Sequence, residues 1–130
     1  MGRQRFNIIN KAEKVTIYVM GATDKCPKKL RCDIVPELRK NAFRILEDII
    51  RANSFSIDKE DASSFSRNER KRYQEDCLST IRVLESFADI ANAMTYITNH
   101  QFDYMTQLTQ ELFDMVKNWM ASDIKRCAIG

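Results

Sequence analysis

The chain has 130 residues, 44% hydrophobic and 30% charged, which suits one domain that buries about two thirds of its unfolded surface. Its 3 Gly and 2 Pro are too few for a turn-rich all-β fold, and no stretch approaches the ~18 unbroken apolar residues of a membrane span. Net charge is +3, but unevenly placed: residues 1–51 carry 12 Lys/Arg against 6 Asp/Glu, and residues 52–130 carry 9 against 12. Such asymmetry predicts one basic face that attracts nucleic acid or an acidic partner, with a solvated mixed surface as the alternative.

Four amphipathic segments follow in chain order. The first helix is predicted over about 6–25, with Ile8, Ile9, Ala12, Val15, Val19 and Ala22 recurring at three and four residues. Ile17, Tyr18 and Met20 widen that stripe, as in a helix touching a second surface. Gly21 either weakens it by roughly 1 kcal/mol relative to Ala or allows close helix approach. Cys26-Pro27 ends it, and Lys28-Lys29-Leu30-Arg31-Cys32-Asp33 forms a basic connector.

The second helix is predicted over about 34–52, with Asp33 as N-cap and Pro36 in the first turn. Leu38, Ala42, Ile45, Leu46, Ile49 and Ile50 make its stripe, and Asn53 is suited to a left-handed closing residue. Residues 54–65, with Asp58 and Asp61, read as the main loop.

Ser66-Arg67-Asn68-Glu69 matches a capping box and opens a third helix over about 66–97. Its stripe is Tyr73, Cys77, Ile81, Leu84, Ala88, Ala91, Met94 and Ile97. Thr98-Asn99-His100-Gln101 is a second capping box at a tight corner. The fourth helix then folds back over about 100–124 on Phe102, Met105, Leu108, Leu112, Val116 and Trp119. The fold expected is an all-α, antiparallel up-down four-helix bundle forming a single domain over 1–130.

The residues offer little catalytic chemistry. Glu75 and Asp76, like Glu47 and Asp48, are adjacent and point about 100° apart on a helix. Cys26, Cys32, Cys77 and Cys127 form no CxxC pair and His100 stands alone, so no metal and no cofactor are expected. With no signal-peptide pattern at the N-terminus, the cysteines suit reduced thiols in the cytoplasm. Cys77 and Trp119 read as core residues.

The cations form three groups: Lys28, Lys29 and Arg31 in the connector; Arg39, Lys40, Arg44 and Arg51 on the second helix; and Arg67, Arg70, Lys71 and Arg72 opening the third. Acids four residues away can pair Arg44 with Asp48, Glu47 with Arg51, Lys71 with Glu75 and Arg72 with Asp76, at ~0.2–0.5 kcal/mol each. Lys28, Lys29, Arg31, Arg39 and Lys40 have fewer acids nearby and rank first as phosphate contacts. Arg70 follows, because no acid stands four residues on, and Arg44 and Arg51 complete the set. No RNA-recognition motif and no DNA-reading helix pair is present, so such binding would follow the nucleic-acid backbone rather than its sequence.

Cys26-Pro27-Lys28-Lys29-Leu30-Arg31, Leu38-Arg39-Lys40-Asn41-Ala42-Phe43-Arg44-Ile45-Leu46, Ile49-Ile50-Arg51-Ala52-Asn53 and the late Trp119 together resemble the Avd family. Avd is the accessory variability determinant of diversity-generating retroelements, and its superfamily includes the intervening-sequence proteins of the large ribosomal RNA. The resemblance runs from about Lys11 to Ile124. Pro36, and Asn118 where relatives often carry Gly, depart from the pattern. The resemblance implies a non-enzymatic four-helix bundle that assembles into a homopentamer. It also implies binding to the element's reverse transcriptase and to RNA or cDNA, in support of mutagenic cDNA synthesis. The alternative within the superfamily is an intervening-sequence-encoded bundle of structural role without nucleic-acid binding.

Overall fold

In the computed structural model the described residues are 2–24, 26, 33–57 and 64–129; for 2–6 and 127–129 the description is of backbone alone. Four helices make up the fold: α1 (Gly2–Asp24), α2 (Ile34–Asn53), α3 (Ser64–Ala93) and α4 (Asn99–Ile129). Each packs on two neighbours, α2 on α1 and α3, α4 on α3 and α1, which closes a bundle.

Cross-helix contacts give the direction of each pairing. Between α3 and α4, Asn92 bonds Asn99, Glu85 bonds Thr109 and Arg70 bonds Asp123, so position rises on one helix as it falls on the other. Tyr18 against Tyr104 and Lys11 against Glu111 do the same for α1 and α4. Thr16 against Ala42 and Thr23 against Arg39 do so for α1 and α2. Cys77 against Ile45, and Tyr73 against Phe55 just past α2, do so for α2 and α3. Neighbouring helices therefore run antiparallel.

The core is made by the predicted stripes. Ile8, Ala12, Val15, Val19 and Ala22 on α1 meet Leu38, Ala42, Ile45 and Ile49 on α2. Cys77, Ile81, Leu84, Ala88 and Ala91 on α3 meet Met105, Leu108, Leu112, Val116 and Trp119 on α4. Burying a Leu, Ile or Val side chain contributes about 1.5–3 kcal/mol, so these rows hold the helices together. Cys77 is fully enclosed, and burial pushes its thiol pKa far up, with the charge of Asp48 adding to the effect. Ile17 departs from the expected stripe, being 71% exposed, and Ile50 and Met94, also expected in the stripes, are half exposed. A Cβ built at Gly21 meets nothing, so no helix approaches it closely within the described chain.

The corner between α3 and α4 follows one expectation and breaks another. Thr98 and Gln101 form the reciprocal capping box: the Gln101 N–H donates to Thr98 Oγ1 at 3.0 Å, and the Thr98 N–H donates to Gln101 Oε1 at 2.9 Å. But α3 stops at Ala93 rather than Ile97. Thr95 takes φ 63, its N–H bonds the Asn92 carbonyl, and the Tyr96 N–H reaches back to the Ala91 carbonyl. That is a Schellman closure with a β-branched residue where Gly is usual. Ile97 still enters the core, from beyond the helix end.

Other local expectations are corrected. Asp33 precedes α2 but makes no side-chain cap bond. Asn53 is not left-handed: Thr95 is the one non-Gly residue with positive φ among those described, and α2 closes through the Ser54 N–H bonding back to the Ile50 and Arg51 carbonyls. Ser66 lies inside α3, which starts at Ser64, and its hydroxyl bonds the Ser56 carbonyl. Glu69 pairs forward with Arg72 at 2.8 Å instead of reaching back to cap. α4 continues past Ile124 to Ile129, so Lys125 and Arg126 lie within it. No described helix is long and apolar enough to cross a membrane.

Candidate nucleic-acid and partner interface

The predicted contact residues fall into three groups. Lys28, Lys29 and Arg31 lie outside the described residues. Lys40, Arg44 and Arg51 are exposed on α2. Arg39 and Arg70 are engaged elsewhere in the fold.

Lys40, Arg44 and Arg51 stand four and seven residues apart, a spacing that sets them along one side of a helix. Glu47 is exposed within the same row. Neither Arg44–Asp48 nor Glu47–Arg51 forms an ion pair among the described residues, whereas Arg72–Asp76 does, at 3.5 Å. Lys71 and Glu75 form none. Arg44 and Arg51 therefore keep their guanidinium donors available.

Asp48 explains why Arg44 lacks the expected partner at the surface. It is buried at 4% exposure, and its Oδ2 has no hydrogen-bond partner. Burial raises its carboxyl pKa; the charges of Arg44 and Arg51 oppose that rise, and those of Asp76 and Glu47 add to it. The acid in that register faces into the bundle while the bases face out. Phe43 and Ile50 add apolar surface on the same helix at 46% and 50% exposure. Sequence reasoning placed Ile50 in the core stripe and gave Phe43 no interfacial role. Their seven-residue spacing was the available signal for a second, outward stripe.

Arg39 turns onto α1. Its Nε donates to Thr23 Oγ1 at 2.9 Å and its Nη2 to the Met20 carbonyl at 3.4 Å. The last turn of α1 has no basic residue of its own, so Arg39 supplies a cation near the negative end of that helix dipole.

Arg70 is the clearest correction. It is 2% exposed, and its partner comes from α4 rather than from the next turn of α3. Its Nε donates to Asp123 Oδ2 at 2.7 Å, its Nη2 to Asp123 Oδ1 at 2.9 Å, and its Nη1 to the Phe55 carbonyl at 2.9 Å. Gln74 adds a bond to Asp123 Oδ2 at 2.9 Å, and the guanidinium lies 5.1 Å from the Trp119 ring centre. A carboxylate held by three N–H donors and a guanidinium held by three acceptors form a closed structural unit. Arg70 has no free face for a phosphate.

Among the described residues there is no group of three or more His, Cys, Asp or Glu side chains placed to hold a metal ion. The chain matches no family model and no curated protein.

Proposed function

We propose that the protein is a non-enzymatic accessory protein of a diversity-generating retroelement, binding the element's reverse transcriptase and its RNA or cDNA. The observation that carries this reading is the row of Lys40, Arg44 and Arg51 on the outer side of α2, without ion pairs among the described residues. Cations so placed neutralise phosphates and release counterions, which gives sequence-tolerant, salt-sensitive binding. The resemblance of residues 11–124 to Avd supplies the biological setting, and the net charge of +6 over residues 1–51 suits it.

In this reading the bundle is a scaffold. Lys28, Lys29 and Arg31 add to the positive charge of the same half of the chain, and Phe43 and Ile50 give the reverse transcriptase an apolar foothold beside the row. The protein works in the cytoplasm as a homopentamer, so the row recurs around the assembly.

The test is reconstitution of template-primed cDNA synthesis with a cognate reverse transcriptase, with and without this protein. The expected result is cDNA that depends on the protein and is lost with Lys40→Glu/Arg44→Glu/Arg51→Glu, while wild type alone has a pentameric mass in solution. Equal cDNA without the protein rules the reading out and favours the intervening-sequence bundle of structural role.

A further inference from the structure

A second site lies at the opposite end of α3 from the corner, where the start of α3 meets the end of α4. A cavity of about 210 Å³ opens there, its wall mostly apolar. Ile57, Met120 and Ile124 supply the apolar part, and Arg67 and Lys71 the charge. Asn68, Gln74 and the Arg70–Asp123 pair also line it.

Three observations limit what this cavity accepts. First, Arg67 Nε is shut off from water and has no hydrogen-bond acceptor. With that atom too enclosed for a ligand oxygen to reach, the donors left to an incoming acceptor are the other N–H groups of Arg67 and the Lys71 ammonium. Second, Asp123 cannot serve, because Arg70 and Gln74 already take its oxygens at 2.7, 2.9 and 2.9 Å. Arg67 and Lys71 bring two cations to the wall, and neither has an ion pair among the described residues. Third, the volume exceeds the ~150 Å³ known to admit benzene, and leaves space for a ring with a carboxylate attached. A bare inorganic anion would leave the apolar wall unused.

We propose that this cavity binds a small apolar carboxylate, an aromatic or branched aliphatic acid, with its oxygens on Arg67 and Lys71 and its hydrocarbon against Ile57, Met120 and Ile124. The site is independent of the α2 row and stands whether or not the protein binds nucleic acid. A bound acid would tie the beginning of α3 to the end of α4 and stabilise the bundle by mass action.

The test uses the full chain and phenylacetate, followed by the fluorescence of its one tryptophan, Trp119, which faces Arg70 across 5.1 Å, and by thermal unfolding. Phenylacetate should give a saturable fluorescence change and raise Tm, with phenylacetamide at least about tenfold weaker, since it lacks the charge. Arg67→Met should weaken phenylacetate by about ten- to a hundredfold with the helical circular dichroism unchanged. If Arg67→Met fails to fold, the acid–amide comparison on the unmutated protein decides. Equal binding of acid and amide, or no saturable change up to about 10 mM, overturns the proposal. So does binding of an acetylated peptide with a free C-terminal phenylalanine when phenylacetate itself does not bind, because the site would then recognise protein C-termini.

Discussion

Arg44 and Arg70 sit on adjacent helices and are both candidate contacts in the sequence, Arg44 with an acid four residues on and Arg70 without one. The first stands on the outer row of α2; the second is 2% exposed and bonded to α4 and to the Phe55 carbonyl. The acids reverse the pattern. Asp48, beside the exposed row, is buried with one oxygen unpaired, while Asp123, at the buried pair, has its oxygens filled by three donors. Whether a cation is surface chemistry or architecture depends on which helical stripe it occupies and what crosses from the facing helix, not on the charge of its sequence neighbours.

The largest effect should come from breaking the buried pair. Asp123→Ala leaves Arg70 charged and enclosed, and should lower unfolding free energy by about 3–5 kcal/mol in urea titration. The double variant Arg70→Met/Asp123→Leu should recover most of that loss, because an apolar pair of similar volume carries no desolvation cost. If the double variant is as unstable as the single one, the network contributes through geometry rather than charge.

An intermediate effect is expected at Arg39, which bridges the two classes. Arg39→Met keeps the apolar stem but removes the bonds to Thr23 and Met20, and should cost about 1 kcal/mol by the same titration.

Asp48 gives a pH signature. Its carboxyl pKa is raised in the fold above the ordinary 3.8, so the folded state holds the proton more tightly than the unfolded chain. That group therefore adds stability below the unfolded value and loses it as pH rises from about 3.8 through the folded value. The stability of Asp48→Asn relative to wild type should accordingly increase between about pH 3 and pH 7, measured by urea titration across that range. A difference that is flat with pH would mean the carboxyl is not desolvated.

The smallest effect belongs to the outer row. Lys40→Glu/Arg44→Glu/Arg51→Glu should shift stability by no more than about 0.5 kcal/mol per position, since none of the three makes an ion pair among the described residues.

The bundle was legible because its signals are local or periodic. Ile45 and Ile49, or Leu108 and Leu112, announce a buried face by spacing alone, and Thr98 with Gln101 announces a helix start within four residues. The first capping box failed because Ser66 had a competing acceptor in the Ser56 carbonyl and Glu69 a competing donor in Arg72. The end of α3 was misplaced because Thr95 adopts a backbone conformation its residue type disfavours, which propensity cannot anticipate. Arg70 was misjudged for a related reason: its partner is 53 residues away, and a search limited to the next helical turn cannot find it. The cavity beside it was invisible for the same reason, being a product of packing between α3 and α4.

The central claim is that the outer row of α2 holds phosphates, and the most direct measurement is the salt dependence of binding to a single-stranded RNA oligonucleotide by fluorescence anisotropy. Wild type should lose affinity steeply with salt, and the triple glutamate variant should bind more weakly with a log–log slope shallower by about 2, the share of three phosphate contacts on a single strand. Equal affinity and equal slope for the two proteins would contradict the claim and return Lys40, Arg44 and Arg51 to an ordinary solvated surface.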